Sequence, residues 1–219
     1  MRLEVNFMDK SIYKIGYRSG LCAFGATLSF VIVQVLQLAR VFPSPLDEIL
    51  IYATSLCIVI PFVLEILALH YVTPDEKKFW SHAALIFAVL YAVFVSANYV
   101  VQLATVIPMK LNGSATEVRV LEQTPHSMFW NFDALGYICM GLATFIALPV
   151  FEKHGFQKWV MISFKANALA TPLIAIVYFY PVFSEKLLAI GFVWGITAPL
   201  AMLMLAIMFK KNGRAIRQN

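Results

Sequence analysis

Residues 79–109, FWSHAALIFAVLYAVFVSANYVVQLATVIPM, contain no Asp, Glu, Lys or Arg over 31 consecutive positions. A helix needs about 20 apolar residues to cross roughly 30 Å of hydrocarbon, so this stretch is long enough to span a membrane. Five further uncharged runs cover 19–39, 49–64, 134–151, 166–184 and 187–209. The sequence therefore predicts a membrane protein and not a soluble one.

The composition supports this class, because 61% of the 219 residues are hydrophobic and 13% are charged. Soluble domains average about 25% charged residues. We predict an all-α, polytopic bundle of six transmembrane helices that forms a single domain over residues 1–219. The predicted spans lie near 20–40, 47–71, 80–107, 126–150, 158–180 and 186–209. The helix-breaking residues Pro108, Gly113 and Pro125 predict an external loop at 108–125.

The distribution of basic residues predicts the orientation, since Lys and Arg accumulate on the cytoplasmic side. Twelve of the 17 Lys and Arg lie in the two terminal segments and in the second and fourth connections. We therefore expect both termini to be cytoplasmic, in a multi-pass protein of the cell (plasma) membrane. The net charge of +5 requires no nucleic-acid partner, because basic helix ends attract anionic headgroups of the lipid bilayer.

Three of the predicted spans each contain one charged residue far from both of their ends: Glu65, Asp133 or Lys165. An ionised group at membrane depth costs several kcal/mol and is normally paired, turned inward or functional. Glu65 and Lys165 both lie roughly 10 Å from the cytoplasmic ends of their helices, so we predict a structural ion pair between them. The alternative is that the long Lys165 side chain reaches the headgroups instead.

Polar residues recur at helical spacing in three spans and predict inward-facing stripes. The fourth span carries His126, Trp130, Asp133, Tyr137 and Met140; the third carries Tyr91, Asn98 and Gln102; the first carries Thr27, Gln34 and Gln37. Gln34, Asn98, Gln102 and Asp133 fall within one layer, about 8–13 Å from the outer ends of their helices. Because polar groups facing lipid would be unsatisfied, we expect this layer to surround a pocket or to hydrogen-bond between helices.

Our leading hypothesis is an outward-facing pocket that binds or transports a small amphipathic or lipid-like ligand. Its expected lining is Gln34, Asn98, Gln102, His126, Trp130 and Asp133. One alternative is a membrane-embedded enzyme that uses Asp133 and His126 as acid and base on a lipid headgroup. Another is an accessory or scaffold protein whose helices hold a partner.

Other chemistry has little support in the sequence. No HExxH, CxxC or glycine-rich phosphate loop occurs, and no two histidines are expected at matching depth, so we expect no cofactor and no metal. The pairs Gly16/Gly20 and Gly191/Gly195 form GxxxG patterns. Such patterns allow close helix packing or a homo-oligomer.

Two stretches resemble a group of small six-span prokaryotic membrane proteins with no assigned function. They are 96–103 (SANYVVQL) and 124–130 (TPHSMFW), the second continuing through Leu135-Gly136-Tyr137 to 147–151 (ALPVF). The resemblance implies six spans and no particular mechanism. Members of that group often have Asn-Pro-His where this chain has Thr124-Pro125-His126, so a role for the Asn does not transfer.

Overall fold

The computed structural model describes the backbone of residues 2–218 and the side chains of residues 10–184 and 186–215. The described residues form α-helices, short 3₁₀ turns and one π turn, with no strand. The helices are α1 (Arg2–Leu38), α2 (Leu46–Val72), α3 (Lys78–Val101), α4 (Ile107–Leu111), α5 (Ala115–Val118), α6 (Met128–Ile146), α7 (Gln157–Phe179) and α8 (Glu185–Gln218).

Six helical segments are long and apolar enough to cross a membrane, which confirms the predicted fold class. They are Lys10–Leu38, Leu46–Val72, Asp75–Leu111, Met128–Val150, Gln157–Phe179 and Lys186–Ala215. Their outward faces carry large apolar side chains, including Ile32, Ile60, Val93 and Ile196, which are 52%, 69%, 57% and 72% exposed. Such a surface suits contact with lipid and not with water.

The six spanning helices form a closed ring in chain order: α1, α2, α3, α6, α7 and α8, with α8 packed against α1. Because the number of spans is even and neighbours are joined in sequence, both chain ends lie at one end of the ring. We call this the terminal end. The opposite end, which carries residues 39–45, 112–127 and 180–184, is the distal end.

Small residues bring α1 close to α8. A Cβ placed on Gly16 would lie 2.7 Å from the Phe209 ring, and one on Gly20 would lie 2.7 Å from Cβ of Ala206. Real Cβ atoms do not approach other atoms this closely, so any larger residue would force the helices apart. The first GxxxG pair therefore packs against a helix of its own chain.

The third span is not a uniform helix. A π turn over Gln102–Val106 joins α3 to α4, and Pro108 lies in the first turn of α4. Proline has no N–H and its ring clashes with the carbonyl four residues earlier, so a widened turn before it relieves the conflict. As a result the span continues to Leu111, and the predicted 108–125 loop contains most of α4 and all of α5.

An ion pair links two connections at the terminal end. The Lys77 ammonium donates to Oε1 of Glu152 and, at 3.3 Å, to the Val150 carbonyl. The hydrogen bond and the charge of Lys77 lower the pKa of the Glu152 carboxyl. This contact joins the connection between α2 and α3 to the one between α6 and α7.

The orientation of the ring in the membrane stays a prediction, and cysteine labelling tests it. In a background without Cys22, Cys57 and Cys139, we expect Ala115→Cys to react with a membrane-impermeant maleimide in intact cells. His154→Cys, at the other end, should react only after the cells are opened. Ala115 and His154 are both exposed, so access to the reagent depends on the side of the membrane alone. The reverse pattern would place the termini outside.

Candidate functional site

A cavity of about 320 Å³ lies among the distal ends of the spanning helices. This volume is near the lower end of the roughly 300–1,000 Å³ range of ligand pockets. All six spanning segments and residues 122–124 contribute to the lining. The lining residues are Phe30, Gln34, Gln37, Glu48, Ile51, Tyr52, Tyr99, Gln102, Val106, Lys110, Glu122, Gln123, Thr124, Trp130, Asp133, Tyr137, Tyr178 and Leu188.

Asp133 is the buried acid of this cavity, with 4% of the residue exposed. Its Oδ1 accepts a hydrogen bond of 2.6 Å from the hydroxyl of Tyr99 on α3. Its Oδ2 accepts one from the hydroxyl of Tyr178 on α7. Since Asp133 is on α6, which lies between α3 and α7 in the ring, one side chain ties three helices together.

Aromatic rings form the walls around Asp133. The ring centroids of Trp130 and Tyr178 are 4.5 Å apart, those of Tyr137 and Tyr178 are 6.1 Å apart, and those of Tyr52 and Tyr99 are 5.5 Å apart. The Trp130 indole N–H also donates to the Tyr178 carbonyl at 3.3 Å. That carbonyl is in the last turn of α7, where backbone acceptors lack helical partners, so the bond also caps the helix.

Amide side chains attach the connection between α5 and α6 to the third span. Asn98 Nδ2 donates to Oε1 of Gln123 at 2.9 Å, and Gln102 Nε2 donates to the Leu121 carbonyl at 2.8 Å. Gln102 Oε1 accepts from the Gln123 backbone N–H at 3.2 Å. Gln102 lines the cavity, whereas Asn98 is fully buried behind it. Part of the predicted polar layer is therefore structural hydrogen bonding.

A cluster of three charged groups lies on the cavity lining. The Lys110 ammonium is 3.9 Å from Oε2 of Glu48 and 3.9 Å from Oε1 of Glu122. Together with Asp133, the described side chains of the lining include three acids and one base. The two glutamates share the single lysine, so an excess of negative charge remains when the acids are ionised.

Gln34 and Gln37 lie on α1, as their spacing predicted, and both face the cavity. Gln37 Nε2 donates to Oδ2 of Asp47 at 3.2 Å, which joins α1 to the start of α2. Gln34 also lines an adjoining cavity of about 60 Å³ between α1, α7 and α8. The two cavities share Phe30, Gln34, Tyr137, Tyr178 and Leu188.

The predicted position of His126 in the pocket is wrong. His126 is exposed, has a φ of 67° and is not part of the cavity lining. The helix begins only at Met128, because the Ser127 hydroxyl caps it by accepting from the Trp130 N–H at 3.1 Å. Helical spacing does not extend upstream of a cap, so the stripe that contains Trp130 and Asp133 excludes His126.

The predicted ion pair between Glu65 and Lys165 is also wrong. Glu65 is 1% exposed, and neither carboxylate oxygen has a hydrogen-bond partner among the described residues. Lys165 is exposed, whereas its neighbours Ser163, Phe164 and Asn167 are buried. The lysine therefore lies on the outward side of α7.

Glu65 instead borders a small cavity of about 10 Å³ that Thr144 and Asn167 also line. Asn167 Nδ2 donates to Oγ1 of Thr144 at 3.2 Å, and its Oδ1 accepts from the Thr197 hydroxyl at 3.2 Å. These bonds connect α6, α7 and α8 in the interior of the ring. A space of this size holds about one water molecule.

Sequence reasoning missed Tyr99 and Tyr178, which hold Asp133, and the cluster of Glu48, Lys110 and Glu122. Tyr99 lies next to Asn98, outside the spacing pattern of the polar stripe. Tyr178 lies near a helix end, where aromatic residues are common at the membrane interface. Among the side chains of residues 10–184 and 186–215, no group of three or more His, Cys, Asp or Glu is placed to hold a metal ion.

The fold and the cavity together define a six-helix integral membrane protein with a polar, aromatic-walled cavity at one end of its ring. Comparison with protein-family models, curated proteins and solved structures gives no match. The resemblance to small six-span prokaryotic proteins therefore stays a prediction.

Proposed function

We propose that this protein binds a small amphipathic or lipid-like ligand in the distal cavity, either as a receptor or as the binding step of a transporter. One observation carries the proposal: aromatic rings and a few convergent polar groups line a cavity of about 320 Å³. Ligand pockets generally combine apolar walls with a small number of orienting polar groups. The same groups would orient the polar end of an amphiphile, while the rings receive its apolar part.

The excess of Lys and Arg at the terminal end supports a cytoplasmic position for that end in the cell membrane. The distal cavity would then face outward and receive its ligand from outside the cell or from the outer leaflet.

The two rival functions differ in what they require of the cavity. Catalysis by Asp133 and His126 requires both groups at the reacting atoms, and His126 does not line the cavity. A scaffold protein would use the polar groups only to join its helices. Asn98 fits that use, but Asp133 and Gln34 also face the cavity space.

Filling the cavity tests the proposal. We expect at least one of hexan-1-ol, hexanoate and hexyltrimethylammonium to raise the melting temperature of the wild type in dodecyl maltoside. A ligand present at 100 times its dissociation constant stabilises the folded protein by about 2.7 kcal/mol, which raises the melting temperature by a readily measured amount. Gln34→Trp puts an indole into the cavity and should abolish the shift. Ile32→Trp adds the same ring to the lipid-facing side of the same helix and should preserve it.

Equal shifts in the two tryptophan variants would mean that the amphiphiles act on the apolar outer surface. No shift with any of the three compounds would favour the scaffold function.

A further inference from the structure

We propose that the distal cavity selects a cationic headgroup, namely a quaternary or protonated amine on a small organic molecule. This inference rests on the proposed function, since it names the class of ligand for the same cavity. The source is either a free amine or the amine of a lipid headgroup, which present the same chemistry to the site.

Charge is the first argument. Asp133 receives hydrogen bonds from two neutral hydroxyl groups, those of Tyr99 and Tyr178. Among the described side chains, no Lys, Arg or His forms an ion pair with it, whereas Glu48 and Glu122 both have Lys110. A buried carboxylate normally has a positive partner. A bound cation would supply that partner from the ligand.

The aromatic walls are the second argument. Tyr52, Tyr99, Trp130, Tyr137 and Tyr178 line the cavity around Asp133. The faces of Tyr and Trp rings attract cations, and cages of such rings are the usual way in which proteins hold quaternary ammonium groups. Two ring pairs flank Asp133: Tyr52 with Tyr99, 5.5 Å apart, and Trp130 with Tyr178, 4.5 Å apart. One ring of each pair, Tyr99 or Tyr178, donates a hydrogen bond to Asp133.

The same features disfavour other headgroups. An anionic group would meet Asp133, Glu48 and Glu122, while Lys110, the only lysine among the described lining residues, already lies between the two glutamates. A hard metal cation prefers six or more oxygen ligands, and the rings around Asp133 offer mainly carbon. An organic cation satisfies both the acid and the rings.

A pair of compounds that differ in one atom tests the inference. Choline and 3,3-dimethylbutan-1-ol have the same shape, with a charged nitrogen in one and a neutral carbon in the other. In dodecyl maltoside, which carries no cation, we expect the wild type to bind choline at least about tenfold more tightly than the alcohol. A tenfold difference in affinity is about 1.4 kcal/mol, which cation–π attraction and an ion pair can together supply.

Variants distinguish the contribution of the aromatic rings from that of the charge on Asp133. Tyr52→Leu removes a ring that has no hydrogen bond to Asp133 and should weaken choline binding about fivefold or more, whereas Tyr52→Phe keeps the ring and should stay within about twofold. Asp133→Asn should weaken choline binding about tenfold and leave the alcohol unchanged. Asp75→Asn, a control at the terminal end whose side chain is 95% exposed, should change neither.

Dihexanoylphosphatidylcholine distinguishes the two sources. Binding of this lipid that is lost in Tyr52→Leu, without binding of free choline, would support the inference with a lipid headgroup as the ligand. Equal affinity for choline and the alcohol, or tighter binding of hexanoate, would overturn the inference while leaving an amphiphile site in place. Failure of choline, the lipid and all three hexyl compounds would overturn both the cation inference and the proposed function.

Discussion

Replacing Asp133 with leucine is expected to destabilise the protein by about 2–6 kcal/mol, because the hydroxyls of Tyr99 and Tyr178 both lose their acceptor. An unsatisfied buried polar group costs about 1–3 kcal/mol, and two groups are affected. Both tyrosines are buried, at 3% and 9% exposure, and water that enters the cavity they line would bring the loss toward the lower figure. The measurement is reversible unfolding in SDS–dodecyl maltoside mixtures, supported by melting temperatures.

The matched controls either remove the two tyrosine hydroxyls or keep an acceptor at position 133. Tyr99→Phe with Tyr178→Phe in the Asp133→Leu background removes the orphaned hydroxyls and should recover most of the lost stability. Asp133→Asn keeps one oxygen acceptor and should cost less than leucine. Strictly additive losses in the triple variant would show that the three groups do not act as one network.

The asparagine variant also separates structure from function. If Asp133 only joins α3, α6 and α7, then Asp133→Asn should fold and keep its ligand binding. If Asp133 holds the cationic ligand, the variant should fold with only the smaller loss of stability expected for asparagine, and its choline-induced shift should be reduced. The comparison works because stability and binding are measured on the same purified protein.

Local regularities explain which parts of the fold were predictable. Span number and type follow from hydropathy, and burial of Tyr91, Asn98 and Gln102 follows from helical spacing. Spacing failed at His126, because the Ser127 cap starts the helix at Met128 and leaves His126 outside it. The Pro125 and Ser127 signals were present in the sequence and identify the cap.

Depth alone could not predict side-chain partners. Glu65 and Lys165 have similar expected depths, but a helix has 3.6 residues per turn, so neighbouring positions face different directions. The inward side of α7 was marked by Ser163 and Asn167, which excludes Lys165. The hydrogen bonds from Tyr99 and Tyr178 to Asp133 could not be predicted for a different reason. They depend on the order of the helices around the ring, which the sequence does not state.

Replacing Glu65 with methionine is expected to stabilise the protein by about 1–3 kcal/mol, the cost of a buried polar group without a hydrogen-bond partner. Methionine has a similar length and a flexible apolar side chain that can fill the same space. The surroundings are apolar on several sides, since Phe62, Met140 and Phe164 line the adjoining cavity. Unfolding in SDS–dodecyl maltoside mixtures measures the change.

Lys165→Met is the control for this experiment, because Lys165 is exposed on the outward side of α7. Its effect should stay within about 0.5 kcal/mol, and the double variant should equal the sum of the single changes. A loss of stability in Glu65→Met that Lys165→Met reverses would mean that the two residues interact after all. Stabilisation by methionine together with loss of ligand binding would instead show that this costly carboxyl is retained for function, since active groups are often kept at the expense of stability.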